Sequence, residues 1–378
     1  MSHFHNPVRV RFGSDALDGI GPLVGSRRCV VLTSAGMARR GELATLQESI
    51  GRAVVATSAD VTPNPTVAEA MAAYGSLAGA RAEVIVALGG GSVIDTAKAV
   101  AAQCANGGDG WLAAHLREGA PYATRTPTPS IIAVPTTAGT GSEVTPWGTI
   151  WDDESGAKHS ISHPTLFPEH ALLDPRLTLS VPRPTTVSSA LDALSHAMEA
   201  IWNRSANPVS DALALRAIQV IPTALRQVCE RPDDLEARSR MFAASLVAGL
   251  AMSNTRTALA HSISYPLTAK LGLAHGIACS ITLPVILVEL ARHAPGRADL
   301  IATALGCADA DAAAEALYAV FGEVGVPAMV AARIPTVQEL QVVEDELIAP
   351  GRADNFLVPA DRAMATGLLR AACERLLA

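Results

Sequence analysis

The chain has 378 residues, 49% of them hydrophobic, and a formal net charge of −7. That length predicts two domains, and the apolar fraction excludes a disordered chain. The acidic balance argues against a nucleic-acid partner, because phosphate binding needs a basic surface.

In chain order, residues 8–12 alternate and predict a strand. Residues 29–33 and 53–57 read as further strands, and residues 66–80 as an alanine-rich helix. Residues 84–88 and 131–134 are continuous apolar runs. Strands apolar on both faces and alternating with helices predict a parallel sheet covered on both sides. From about Pro182 long helical patterns take over, at residues 186–201, 209–228 and 235–252. Pro182 and Pro184 mark the boundary. The expected fold is an α/β N-terminal domain with a parallel Rossmann-like sheet, residues 1–182, plus an all-α C-terminal domain, residues 183–378.

The six cysteines (Cys29, Cys104, Cys229, Cys279, Cys307 and Cys373) include no C-x-x-C pair, which predicts a reduced, cytoplasmic setting. Residues 1–7 lack an apolar signal core. The most apolar run, residues 278–290, is interrupted by Ser280, Thr282 and Pro284 and is too short to span a bilayer. No membrane partner is expected.

Three segments carry chemistry. Residues 89–98, with Gly89, Gly90, Gly91 and Ser92 ahead of Asp95 and Lys98, follow an apolar strand and open a helix. Glycines let a ligand approach the backbone, and a helix N-terminus offers N–H groups to a phosphate. Ser92 and Asp95 also have capping-box spacing, so an ordinary capped turn is the competing reading. Residues 135–143, with Thr136, Thr137, Gly139, Thr140 and Gly141, again follow a strand. They suit a ribose, an amide or a phosphate, or form a polar loop. Ligands of open α/β sheets bind at such strand ends. Third, Asp192 and His196 lie four apart in a helical pattern and project from one face. With His261 and His275 they offer one carboxylate and three imidazoles, enough for Fe²⁺ or Zn²⁺ with a position left for substrate oxygen. With ten histidines in the chain, some chance spacing is expected.

In this order and separation, the three segments resemble the iron-containing (group III) alcohol dehydrogenase family, from residues 6–13 to the last helices. The resemblance is carried most strongly by residues 192–200 and 261–276. It implies a fold of the dehydroquinate synthase type, a homodimer formed through the N-terminal strand, and Asp192, His196, His261 and His275 as metal ligands. It also implies that Gly90, Gly91, Ser92 and Asp95 line the pyrophosphate and nicotinamide path. Thr136, Thr137 and Thr140 would hold the adenine and ribose side, and Lys158, after Gly156 and Ala157, would reach the cofactor.

Two positions depart from the family pattern. Tyr265 stands where many members carry a second histidine near the nicotinamide; it donates a proton through its hydroxyl or packs against the ring, and packing is the expectation. Ser34 stands where NAD-preferring members carry an aspartate for the ribose 2′-OH. Without a carboxylate there, a 2′-phosphate is not repelled, and Arg39 or Arg40 could attract it. Both NADH and NADPH are therefore expected, NADPH modestly favoured.

Residues 261–268 and 272–278, with residues 352–355, most resemble the phosphonoacetaldehyde reductase branch, which implies reduction of phosphonoacetaldehyde to 2-hydroxyethylphosphonate. A phosphonate dianion wants two or more cationic or N–H partners. Lys270, Arg256 and Arg352 are the candidates, each of which also fits an ordinary surface charge. The alternatives are an oxidoreductase for another small aldehyde or alcohol, including maleylacetate-like acids, and a lyase of the dehydroquinate synthase type.

Overall fold

The computed structural model describes residues 3–107, 110–154 and 157–378. Met1, Ser2 and Gly156, used in the sequence reading, lie outside these. The chain divides into two compact units: residues 7–137 with 142–178, and residues 3–6 and 138–141 with 179–378.

The first unit is built on a six-stranded sheet. Its strands are β1 (Arg9–Phe12), β2 (Cys29–Thr33), β3 (Val54–Ser58), β4 (Val84–Gly89), β5 (Ser130–Pro135) and β8 (His170–Leu173), in the order β1-β8-β5-β4-β2-β3. Every pairing in it is parallel. β2 and β4 are buried at every position, as the continuous apolar runs require of strands covered on both faces. β2 and β4 run in step from Cys29↔Val84 to Thr33↔Leu88, and β4 and β5 from Val84↔Ser130 to Gly89↔Pro135. Their C-terminal ends therefore finish side by side and present Ser34, Gly90 and Thr136 along one edge. The Thr33 hydroxyl donates to the Leu88 carbonyl (2.7 Å) and ties two of those ends together.

β6 (Trp147–Trp151) and β7 (Lys158–Ser162) form a separate antiparallel hairpin. Neither these strands nor β8 is foreseen in the sequence reading.

The second unit is helical. Its centre is the helix Arg183–Ile201, in which residues from Ala190 to Ile201 are all buried. The helices Pro208–Glu230, Leu235–Thr255, Leu259–Leu271 and His275–Ser280 are among those beside it. Asn207 and Ser210 form a capping box at the start of the first, and Asp234 accepts from the Ala237 N–H at the start of the second, so first-turn N–H groups of both find side-chain partners. The apolar stretch His275–His293 is largely buried in this unit.

Candidate active site

A helix buried on all sides has no solvent for its polar side chains, so each needs a partner inside. In Arg183–Ile201 the polar residues Asp192, His196 and Glu199 share one face at spacings of four and three. They converge with His261, near the start of Leu259–Leu271, and His275, which opens the next helix. Asp192 Oδ1 lies 3.4 Å from His261 Nε2, 3.5 Å from His196 Nε2 and 4.0 Å from His275 Nε2. Of the four residues sequence reasoning names, Asp192, His261 and His275 offer ligand atoms within 4.8 Å of one another, and His196 Nε2 lies 3.5 Å from Asp192.

It misses two others at the same place. Glu199 is fully buried and accepts from the Ala258 N–H (2.9 Å), the His261 N–H (3.1 Å) and His261 Nδ1 (2.7 Å). That last bond holds the ring by Nδ1 so that Nε2 faces Asp192, the usual way a carboxylate orients a ligating imidazole. Cys279 Sγ lies 3.5 Å from Asp192 Oδ1. Both positions were readable as helix neighbours: Glu199 is seven residues after Asp192, and Cys279 four after His275.

The electrostatics point to a cation. Burial would raise the Asp192 pKa, but His196, His261 and His275 hold it far below the usual carboxylate range. Burial would lower His261, yet Glu199 and Asp192 push it up to about 10. Burial keeps His196 low despite Asp192. Two ionised carboxylates and imidazole nitrogens thus crowd a volume from which water is largely removed. His261 Nε2 is buried with no hydrogen-bond partner. A divalent metal ion satisfies this donor set, and the residues fit one. His275 is the most exposed of the four, with 30% of its side chain accessible, so substrate oxygen would enter on its side.

Tyr265 follows His261 by one helical turn. Its ring stacks on His275 (centroids 6.4 Å apart, 26° between planes) and its hydroxyl accepts from Arg352 Nε (3.0 Å). The expectation of packing alone is therefore incomplete, because the hydroxyl orients a guanidinium. Arg352 Nη1 also donates to the Gly351 carbonyl (3.0 Å). Lys270 is exposed and donates to Glu346 (2.5 Å) and the Val342 carbonyl. Its charge is matched on the surface, nine residues beyond His261. Arg256 is exposed with a left-handed backbone (φ 66°), and its carbonyl accepts from Asn203.

The α/β unit carries the nucleotide residues. The helix Gly91–Asn106 is capped by Gly90 without any side-chain bond. The competing reading, a capping box of Ser92 and Asp95, does not form. Ser92 Oγ instead accepts from the Asn64 N–H (3.2 Å). Asp95 accepts from Ser142 Oγ (2.6 Å) and the Thr149 N–H (2.9 Å), so its carboxylate holds the chain after β5. The N-cap of this 16-residue helix thus supplies no side-chain bond to its first turn, which suits a pyrophosphate site. A Cβ on Gly90 would stand 3.2 Å from Thr137 Oγ1, so Gly90 and Thr137 adjoin. The Thr136 N–H donates to the Gly89 carbonyl (3.0 Å). Thr140 belongs to the 138–141 segment, grouped with the helical unit, where Gly139 packs on Ser189 and Gly141 on Gly249.

Lys158 lies over the Trp151 ring (6.0 Å) and acts electrostatically on Asp95. Ser34 precedes the helix Ala35–Arg40. Its Oγ and Arg40 Nη1 both border Gly36, while Arg40 Nε meets Glu42 (3.2 Å).

An uncapped glycine turn at the ends of a parallel sheet, with a buried carboxylate–imidazole cluster in a helical unit, defines a class: the NAD-dependent alcohol dehydrogenases that use a metal ion. The iron-containing alcohol dehydrogenase domain matches residues 7–175, and the C-terminal domain of the Fe-containing alcohol dehydrogenase family matches residues 186–339; the chain belongs to the iron-containing alcohol dehydrogenase family.

The sulfoacetaldehyde reductase of Bifidobacterium kashiwanohense, solved in complex with NAD+, superposes with a TM-score of 0.91 at 30% identity, covering 99% of each chain. The phosphonoacetaldehyde reductase of Streptomyces viridochromogenes is 40% identical over 227 residues, 59% of this chain and 57% of that protein. The 1-propanol dehydrogenase of Citrobacter freundii is 30% identical over 284 residues, 75% of this chain and 72% of that protein. The chain spans less than two thirds of the length of several such curated relatives.

Proposed function

We propose that this protein is a metal-dependent aldehyde reductase whose substrate is a small aldehyde with an anionic head, phosphonoacetaldehyde first, reduced to 2-hydroxyethylphosphonate. The observation that carries the reading is Arg352, held by the Tyr265 hydroxyl, whose ring stacks on His275. The names of two relatives favour it, since sulfoacetaldehyde and phosphonoacetaldehyde both join an aldehyde to an oxyanion.

When bound, the metal supplies Lewis acidity toward the aldehyde oxygen and the reduced nicotinamide supplies the hydride. Asp192, His196, His261 and His275 hold the ion, and Glu199 holds the His261 ring by Nδ1. Gly90, Gly91, Ser92, Thr136, Thr137 and Lys158 hold the cofactor, with Thr140 as a further candidate on the adenine and ribose side. NADH and NADPH both serve, NADPH modestly better, because Ser34 presents no carboxylate and Arg40 lies at the same glycine. Arg352 grips the anionic head and so fixes where the carbonyl sits. The protein works as a cytoplasmic homodimer, with β1 as the joining edge.

A charge-assisted contact contributes about 1.5–3 kcal/mol, roughly ten- to a hundredfold in rate. Arg352→Ala should lower kcat/KM for phosphonoacetaldehyde by about that factor and leave an uncharged aldehyde of similar size nearly unaffected. Equal losses on both substrates would contradict the anchoring role.

A further inference from the structure

Ser262 follows His261 on the helix Leu259–Leu271 and is fully buried. A buried hydroxyl has no water to satisfy it, so its protein partners are its whole supply. Ser262 Oγ donates to the Leu347 carbonyl (2.7 Å) and accepts from the Ala349 N–H (2.6 Å), bridging two backbone groups of one distant segment. One helical turn beyond His261, the Tyr265 hydroxyl accepts from Arg352 Nε of the same segment (3.0 Å). The far end is fastened as well. Asn355 Nδ2 donates to the Thr257 carbonyl (2.8 Å), and the Asn355 carbonyl accepts from the Arg204 N–H (2.8 Å).

Leu347 and Phe356 are fully buried, so the residues between them form a strap pegged at both ends. Inside the strap the Arg352 N–H donates to the Ala349 carbonyl (3.1 Å), and the Arg352 carbonyl accepts from the Asn355 N–H (2.9 Å). The backbone of Arg352 is thus tied to both flanks, and Tyr265 holds its side chain at Nε. An arginine that must order itself around a ligand loses rotamer entropy, and ordering it beforehand removes part of that cost.

We propose that residues 347–356 are the specificity element of the site, with Ser262 and Tyr265 as positioning residues. Together they set where the Arg352 guanidinium stands beside the helix of His261, and so select aldehydes with an anionic head. Hydride transfer to the aldehyde carbon does not pass through the strap. The inference rests on the substrate reading above and deepens it.

The test compares metal-loaded wild type, Ser262→Ala and Tyr265→Phe for kcat/KM on phosphonoacetaldehyde and on butyraldehyde. The expected result is about a tenfold fall in the ratio of the two values in each variant. The fall should appear as a higher KM for phosphonoacetaldehyde with kcat little changed, at unchanged metal content. In an Arg352→Ala background neither substitution should lower the ratio further, because each acts through that guanidinium. Equal losses on the two aldehydes, an unchanged ratio, or a further fall in that background overturns the positioning role and leaves Arg352 as the anchor. A wild type without preference for phosphonoacetaldehyde overturns the substrate reading and this inference with it. If Ser262→Ala does not fold, Tyr265→Phe alone decides.

Discussion

At the scale of residues, the site depends on a few atoms that cannot be satisfied by one another. His275 is the most exposed of the four proposed ligands, with 30% of its side chain accessible, whereas Glu199 holds the buried His261. His275→Ala should therefore leave the buried remainder folded while removing both bound metal and turnover. A variant with unchanged metal content and rate would sink the ligand assignment. At Ser34 a carboxylate would accept from a ribose 2′-OH and repel a 2′-phosphate. Ser34→Asp should accordingly shift the ratio of kcat/KM values toward NADH. Strict NADH dependence in the wild type would remove the basis for this reading.

At the scale of elements, the glycine-turn helix carries a buried cation. Lys98 Nζ donates to the Ser142 carbonyl (2.6 Å), Ser142 Oγ (2.8 Å), Thr145 Oγ1 (3.2 Å) and the Trp147 carbonyl (2.7 Å). Burial lowers its pKa to about 8, against the pull of Asp95 and Glu143. Removing one partner of a buried charge pair costs about 3–5 kcal/mol. Lys98→Met should lower the free energy of urea unfolding by about that amount; a change within error would show that the network contributes little.

Much of this architecture was legible in the sequence. The period of two or the unbroken apolar run marks β1 to β5, and the long helical periods mark Arg183–Ile201, Pro208–Glu230 and Leu235–Thr255. β6 and β7 escaped because their alternation sits inside a stretch rich in polar and turn residues. Asp192 and His196 were visible through helical spacing. The bond from Arg352 Nε to the Tyr265 hydroxyl was not, since 87 residues separate them and only tertiary packing joins them.

At the scale of the whole molecule, β1 is the end strand of the sheet and is exposed at all four positions, with Val10 and Phe12 among the exposed large apolar residues. An apolar edge left open invites pairing with another chain. The proposed homodimer joins there, and sedimentation should report twice the chain mass; the mass of one chain would contradict it. The central claim, however, concerns what the assembled molecule reduces. The most direct measurement is NADPH or NADH oxidation by the metal-loaded wild type, comparing kcat/KM for phosphonoacetaldehyde with that for butyraldehyde. With two independent anchoring contacts to the anionic head, each of about 1.5–3 kcal/mol, phosphonoacetaldehyde should lead by several orders of magnitude, and with Arg352 alone by about ten- to a hundredfold. Equal values would contradict the substrate assignment, and no oxidation of either cofactor with any aldehyde would contradict the reductase itself.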